Sequence, residues 1–497
     1  MLVAASLVAL ATVTPCVGAQ SHPVPAPTVA GEDVAARIRQ VEEGLLPPSI
    51  IAGQPLPTMS LAERMRYFRV PGVSIAVVNQ GRIEWAKGYG LAEAGTDRVV
   101  DPATLFQAAS ISKPVATLAA LRLVEAGKLA LDESVNQRLT SWRVPESELA
   151  RDSLVTLRRI ISHNAGLTVH GFRGYARGES VPSTVQVLDG APPANSAAVR
   201  VDVVPGTLHR YSGGGFTVAQ LLMSDVTGMA FPQLVQDLVL QPLGMIHSTY
   251  AQPLPDSLAG RAATAHRPDG TPIDGRWHTY PEQAAAGLWT TPSDLARLII
   301  AVQRYAAGAE GGVVSPAMAR EMLAPQAGSY GLGFGIGGED STRIFAHGGS
   351  NVGFRAMFVG FVETGQGAVV MTNADLGGAL VQEILRGISR VYGWEQFKVT
   401  EKTVATVDSA RLTSFVGRYR LESSGAGRIL TVTMENGRLQ ARLPEWLSAR
   451  TLYAAAPDSF FMLEGAAQLS FERDGAGGVT AVALSGSGPT MRAIRIE

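Results

Sequence analysis

Apolar and polar positions along the chain fall into distinct patterns. Val115-Ala116-Thr117-Leu118-Ala119-Ala120-Leu121 is apolar on nearly every face, as in a helix enclosed by protein. That helix reads back to Ser110 and stops at Gly127. Pro114 is tolerated because a first-turn N–H has no intrahelical partner to lose. Ala35 to Leu45 and Leu61 to Phe68 read as earlier helices, and Leu295, Leu298, Ile299 and Val302 form an apolar stripe behind the helix start Thr291-Pro292-Ser293-Asp294. Further helical periodicity lies at Val155 to Ile161, Val218 to Val226, Phe231 to Val239 and Leu380 to Tyr392.

Strand patterns frame these helices. Gly72 to Val78, the turn Asn79-Gln80-Gly81 and Arg82 to Ala86 predict a hairpin just ahead of the Ser110 helix. Strands return at Tyr330 to Ile336, Ile344 to Ala346, Phe354 to Val362 and Gly367 to Thr372. Strands at both ends with helices between them predict an α+β domain over residues 61–394, an antiparallel sheet flanked by helices plus a helical subdomain. Gly171 to Thr207 reads as one long irregular stretch, and a substrate-covering loop is its expected role. After a linker at 395–408, short alternating strands with tight turns predict a small C-terminal β-barrel domain over 409–497. Its clearest hairpin is Ile429 to Met434, Asn436-Gly437 and Arg438 to Leu443, with Phe460-Phe461-Met462, Leu469 to Glu472 and Val479 to Leu484 continuing the pattern.

Composition narrows the partners. A net charge of −1 and a charged fraction of 17% in 497 residues argue against a polyanion-binding surface, so nucleic acid is not expected. Leu2 to Val13 is a short apolar run followed by Val17-Gly18-Ala19, which reads as a signal peptide over 1–19 without a basic n-region. Periplasmic or secreted localisation follows, with a linker and helix over 20–60, Pro-rich from His22 to Pro27, and no membrane span. The one cysteine, Cys16, falls inside that signal; as a lipid anchor it would be poorly served by Pro15. Disulfides and thiol chemistry are therefore not expected.

Ser110 and Lys113 would share one helix face, close enough for the lysine to reach the serine hydroxyl. A hydroxyl becomes a good nucleophile when a base takes its proton, and a lysine serves only if burial or a second cation lowers its pKa. The plainer alternative makes Ser110 an N-cap and Lys113 a solvated first-turn residue. Lysine occurs only five times, and no other lysine has a serine three residues before it. Tyr211-Ser212-Gly213-Gly214-Gly215 sets a tyrosine on a Gly-rich turn before a helix, and His347-Gly348-Gly349-Ser350 follows a strand with glycines that allow close backbone approach by a ligand. Taken singly, a tyrosine such as Tyr211 is more often a core or turn residue, and a histidine such as His347 a satisfied loop histidine.

Ser110-Ile111-Ser112-Lys113, Tyr211-Ser212-Gly213 and His347-Gly348-Gly349, in that order, resemble the three motifs of the serine β-lactamase and penicillin-binding-protein superfamily. The branch is similar to class C β-lactamases, family VIII esterases and their D-aminopeptidase and D-Ala-D-Ala carboxypeptidase relatives. Ile161 to Leu167, Gln241 to Met245, Gly287 to Leu295 and Tyr330 to Phe334 support it, over roughly Leu61 to Tyr392. The resemblance implies a β-lactamase/transpeptidase-like fold with Ser110 as acylated nucleophile and Lys113 and Tyr211 sharing its proton. It leaves open which of the two is the base. It further implies an oxyanion hole from the N–H groups of Ser110 and Ser350, and substrate contacts at His347, Gly348, Gly349 and Gly213. The C-terminal region, opened by Phe415 to Tyr419, looks like the lipocalin-like domain appended to some members, with packing or homo-oligomerisation as its expected role.

Two departures bear on substrate. Gly213 replaces the usual asparagine, so no amide is available to hold an acylamino group or brace Lys113, and His347 replaces a lysine and would be only partly charged near neutral pH. Both favour a small-molecule or peptide ester or amide, of esterase or D-amino-acid-specific peptidase type. A β-lactamase and a penicillin-binding or sensor protein that does not turn over are the alternatives. Gly333-Phe334-Gly335-Ile336-Gly337-Gly338 is followed by strand rather than helix, so it is not a dinucleotide site. There is no Gly-x-Ser-x-Gly or His-Glu-x-x-His, no metal or cofactor is expected, and His163 is expected to be structural at a helix end.

Overall fold

The computed structural model describes residues 29–422, 427–444, 446–465, 467–486 and 490–497. The signal-peptide reading, Cys16 and the Pro-rich stretch His22 to Pro27 lie outside them. An N-terminal helix, α1 (Val29–Glu43), starts earlier than its sequence pattern suggests. The hairpin follows as β1 (Gly72–Asn79) and β2 (Arg82–Gly90), turning through Gln80 and Gly81, both at positive φ.

The buried helix is α2 (Ser112–Glu125), ending before Gly127 at φ 68°. Ser110 lies one step earlier, in a 3-10 turn over Ala109–Ile111, so the α-helix proper begins two residues later than expected. Every residue from Ser112 to Leu121 is buried, as continuous apolar sequence demands. The helical side also holds α3 (Gly213–Thr227), the single turn α4 (Gln283–Ala286) and α5 (Pro292–Ala306), with Thr291 capping α5 through its hydroxyl. The helix expected over Phe231 to Val239 divides into α-helix at Phe231–Val235 and a wider π turn at Gln236–Leu240.

The chain then returns to strands β3 (Gly335–Gly337), β4 (Ile344–Asn351), β5 (Phe354–Phe361) and β6 (Gly367–Thr372), followed by helix α6 (Gly377–Tyr392). They form one antiparallel sheet in the order β2-β1-β6-β5-β4-β3, so both ends of the domain meet at the β1–β6 pair. One apolar layer lies between the sheet and the helical side, and a second between its other face and α1 and α6. Two strand predictions change. Tyr330 to Ile336 is strand only at its end, because Gly333 turns at φ 81° against Thr117, where a Cβ would fall 2.5 Å from the threonine Oγ1. β4 runs on past Ala346 to Asn351, because its Gly348 and Gly349 continue the pairing with β5.

The stretch Gly171 to Thr207 is not wholly irregular: Ser183 and Gln186 form a capping box that starts a short helix, Thr184–Asp189. Between the two domains, Thr400–Lys402 pairs in parallel with Ser49–Ile51, so the expected linker carries a strand. Beyond it, eight strands from Gly417–Leu421 to Met491–Arg495 pair each with the next and close first to last into an antiparallel barrel. Its interior packs Phe415, Tyr419, Phe460 and Phe471. Among the described residues no helix is long and apolar enough to cross a membrane.

Candidate active site

The 3-10 turn before α2 carries Ala109 at φ 50°, a left-handed conformation unusual for alanine. Ser112, which reads as a mere spacer in sequence, anchors this turn. Its Oγ donates to the Ala109 carbonyl (2.5 Å) and accepts from the Leu288 N–H (2.9 Å), while the Tyr250 hydroxyl donates to its carbonyl (2.5 Å). Strand β4 closes the other side. A Cβ on Gly349 would fall 2.2 Å from the Ala108 carbonyl oxygen, so this glycine permits the close approach of the serine turn to the strand. Gly348 and Ser350 alternate to the exposed side.

Lys113 is 2% exposed, which removes the solvated alternative. Its Nζ lies 3.0 Å from Ser110 Oγ and 2.7 Å from the carbonyl oxygen of Ala285 in α4. Burial alone lowers its pKa from the ordinary lysine value to about 7. The role that Gly213 leaves vacant, bracing the lysine, thus falls to a backbone carbonyl 172 residues away. α4 is in turn tied to β4 and to the strand before the serine turn: Asn351 Nδ2 donates to the Ala286 carbonyl (3.2 Å) and to Gln107 Oε1 (2.9 Å).

Tyr211 sits just before α3, whose N-cap Ser212 accepts from the Gly215 N–H. Its ring lies 4.9 Å from Lys113 Nζ, and its phenol is near enough to Ser110 for the serine to pull its pKa down. Burial raises that phenol to about 12, against the opposing pull of the Ser110 contact. His163, beyond the helix end at Ile161, stacks 4.1 Å from the Tyr211 ring, and its Nδ1 accepts from the Ser212 N–H (3.1 Å). Burial holds His163 well below its ordinary pKa, so it stays neutral with its proton on Nε2. It therefore has the structural place expected of it, and that place is behind the tyrosine of the site. A side chain at Gly213 would press its Cβ within 3.0 Å of Phe172 and 3.1 Å of the His170 carbonyl, so an asparagine there would require the 170–172 segment to move.

His347 reverses one expectation. It is buried at 8% exposure, and burial, followed by the charge of Lys113, lowers its pKa to about 3. Its ring is neutral near pH 7, not partly charged. Nδ1 donates to the Gly348 carbonyl (2.7 Å), so Nε2 carries the lone pair, and that atom has no partner among the described residues. Ser110, Lys113, Tyr211, His347, Gly348, Gly349 and Ser350 all line one cleft of ≈ 900 Å³. Gly213 is outside that lining, behind Phe172 and His170. Sequence reasoning missed Ala285, Asn351, Gln107 and Ser112; nothing in their local pattern marks a support that forms across more than a hundred residues.

The family model described as Beta-lactamase matches residues 61–390. The chain belongs to the Beta-lactamase family. Within it, the chain is similar to Esterase EstB of Burkholderia gladioli, 29% identical over 243 residues, covering 46% of this chain and 60% of that protein. Unguisins hydrolase ungD of Aspergillus violaceofuscus is 28% identical over 244 residues, covering 45% and 40%. Penicillin-binding protein 4 of Amycolatopsis lactamdurans is 24% identical over 336 residues, covering 64% and 84%. The matches thus span less than two thirds of the length of the first two relatives. Among solved structures, the octameric penicillin-binding protein homologue from Pyrococcus abyssi aligns with TM-score 0.56 and 18% identity, over 87% of this chain and 98% of that one. EstCE1, a hydrolase with promiscuous acyltransferase activity, aligns with TM-score 0.56 and 22% identity, over 74% and 100%. At these identities the structural likeness shows the Beta-lactamase fold and nothing finer.

Proposed function

We propose that this Beta-lactamase family member is a serine hydrolase that acts on esters or amides through an acyl-enzyme. The observation that carries the reading is a fully enclosed lysine amine, with a pKa of about 7, placed 3.0 Å from the hydroxyl of Ser110. In the neutral amine one N–H stays on the Ala285 carbonyl while the lone pair faces Ser110 Oγ. Ser110 Oγ attacks the substrate carbonyl carbon as its proton passes to Lys113 Nζ. The developing oxyanion is held by the N–H groups of Ser110 and Ser350, donors worth about 3 kcal/mol each in such sites. Tyr211, protonated at neutral pH, supplies the leaving group's proton and is restored from Lys113. Water then attacks the acyl carbon, giving its proton to the same pair, and the acid and free Ser110 are released.

The neutral His347 and the missing amide at Gly213 support an ester or amide without an obligatory carboxylate, in preference to a β-lactam. The relatives named as esterase and hydrolases agree with this. The test is a panel of p-nitrophenyl esters, D- and L-aminoacyl anilides and nitrocefin on wild type and Ser110→Ala. Ester or anilide turnover exceeding nitrocefin, abolished in the alanine variant, is expected. Turnover surviving in Ser110→Ala refutes the mechanism, and a stable adduct without product beyond one equivalent refutes turnover.

A further inference from the structure

The active-site cleft does not end at α6. Gly378 and Gln382, in the first turns of that helix, line both the cleft of ≈ 900 Å³ and a second cavity of ≈ 610 Å³. This second cavity is a crevice between the two domains. Tyr67, Phe68 and Arg386 belong to its catalytic-domain wall, and Trp446, Leu447 and Arg450 to its barrel wall. The barrel is held against that side by the hydrogen bond between the Tyr67 and Ser448 hydroxyls (2.8 Å).

The wall that the two cavities share carries no side chain at Gly378. Gly378 is exposed, and a Cβ built on it meets nothing within 4 Å. Beyond it, the crevice offers an apolar face and directed donors together. Arg450 stacks on Trp446 at 4.4 Å, leaving a flat surface suited to an aromatic or planar amide group. Arg386 donates its Nε to the Leu46 carbonyl (2.9 Å), while its two Nη groups make no hydrogen bond or ion pair among the described residues. Glu383, whose two oxygens accept from Arg64 at 2.7 Å, neighbours Arg386 by charge without hydrogen-bonding its Nη groups, and Glu464 adds a second carboxylate to the lining near Arg450. A cavity of several hundred Å³ with an apolar lining and a few placed polar groups is the usual form of a small-molecule subsite.

From this continuity we infer that the interdomain crevice is an extended substrate subsite, in which the barrel wall binds the distal part of an elongated ester or amide. The substrate class is a peptide-like or acylamino chain that reaches from Ser110 over Gly378, with an aromatic cap against Trp446 and a carbonyl or carboxylate oxygen on Arg386. The inference rests on the hydrolase reading for which bond is cut, while the binding itself does not.

Two ladders of chromogenic esters test it, one lengthened by glycyl units with a benzoyl cap on the acyl side, the other by an alkylamide chain with a benzyl cap on the leaving phenol. Calorimetry uses Ser110→Ala, which keeps the cleft but cannot be acylated. One ladder is expected to bind at least tenfold tighter at full length than at its shortest member. Gly378→Phe, which places a ring on the shared wall, and Trp446→Ala, on the far wall, should each erase that preference. Equal binding at all lengths, no binding at any length, or a preference untouched by both substitutions overturns the inference. Length-dependent binding without any wild-type turnover leaves the subsite standing and rejects the hydrolase reading; turnover without length dependence does the reverse.

Discussion

The amine of Lys113 is shared between two oxygens that the chain brings from distant places, Ser110 Oγ at 3.0 Å and the Ala285 carbonyl at 2.7 Å. The carbonyl fixes where the amine sits, and the enclosure fixes its protonation. The hydrolytic rate should therefore follow one rising limb in kcat/KM with an apparent pKa near 7. Lys113→Arg keeps a cation that does not lose its proton, and should lower kcat/KM by about a thousandfold or more. A pH–rate profile of both proteins checks this, and a profile flat from pH 5 to 9 would contradict it.

The same burial has a stability signature. Between pH 7 and 10.5 the unfolded chain holds a proton on Lys113 that the folded chain has released, so stability rises with pH through that window. Below pH 7 the folded state carries the full cost of an enclosed ammonium, on the order of 5 kcal/mol. Lys113→Met should accordingly be more stable than wild type at pH 6 and lose that advantage by pH 10.5, as read from urea midpoints.

His347 should be silent near neutrality. With a pKa of about 3 it carries no proton change between pH 5 and 8. His347→Asn is expected to lower kcat/KM while leaving the limb near pH 7 in place. A limb that disappears in this variant would show that the histidine, and not Lys113, is titrating.

Glu282 immediately precedes α4, with both carboxylate oxygens buried and unpartnered among the described residues, and burial pushes it up to about 7. From pH 4.5 to 7 the folded state binds a proton the unfolded state has lost, so this group makes stability fall as pH rises. Above pH 7 the full cost is on the order of 3 kcal/mol. Glu282→Gln should stabilise the protein at pH 8 by about that amount and change little at pH 4, measured by denaturant unfolding.

Gly349→Ala should separate fold from function. Its Cβ would meet the Ala108 carbonyl at 2.2 Å, so the serine turn or the strand must shift. A displacement of about 1 Å in reacting groups typically costs about a hundredfold in rate. Labelling of Ser110 by a fluorophosphonate should slow by that factor while circular dichroism stays that of the wild type.

Much of this protein is legible where neighbours in sequence decide the outcome. The Ser110-x-x-Lys113 spacing, the cap at Thr291 and the hairpins at Asn79-Gln80-Gly81 and Asn436-Gly437 all follow from local geometry, which a few consecutive residues determine. The strand expected at Tyr330 failed because Gly333 obeys its contact with Thr117, and the charge expected on His347 failed because burial is a property of the assembled cleft. The sequence by itself determined the two architectures and the order of the motif residues. Only the tertiary structure decided that Lys113 is enclosed and braced by Ala285, that His347 is neutral, and that the barrel borders the crevice beyond α6. Those outcomes depend on excluding water and on contacts between segments far apart in the chain, and no local pattern encodes either.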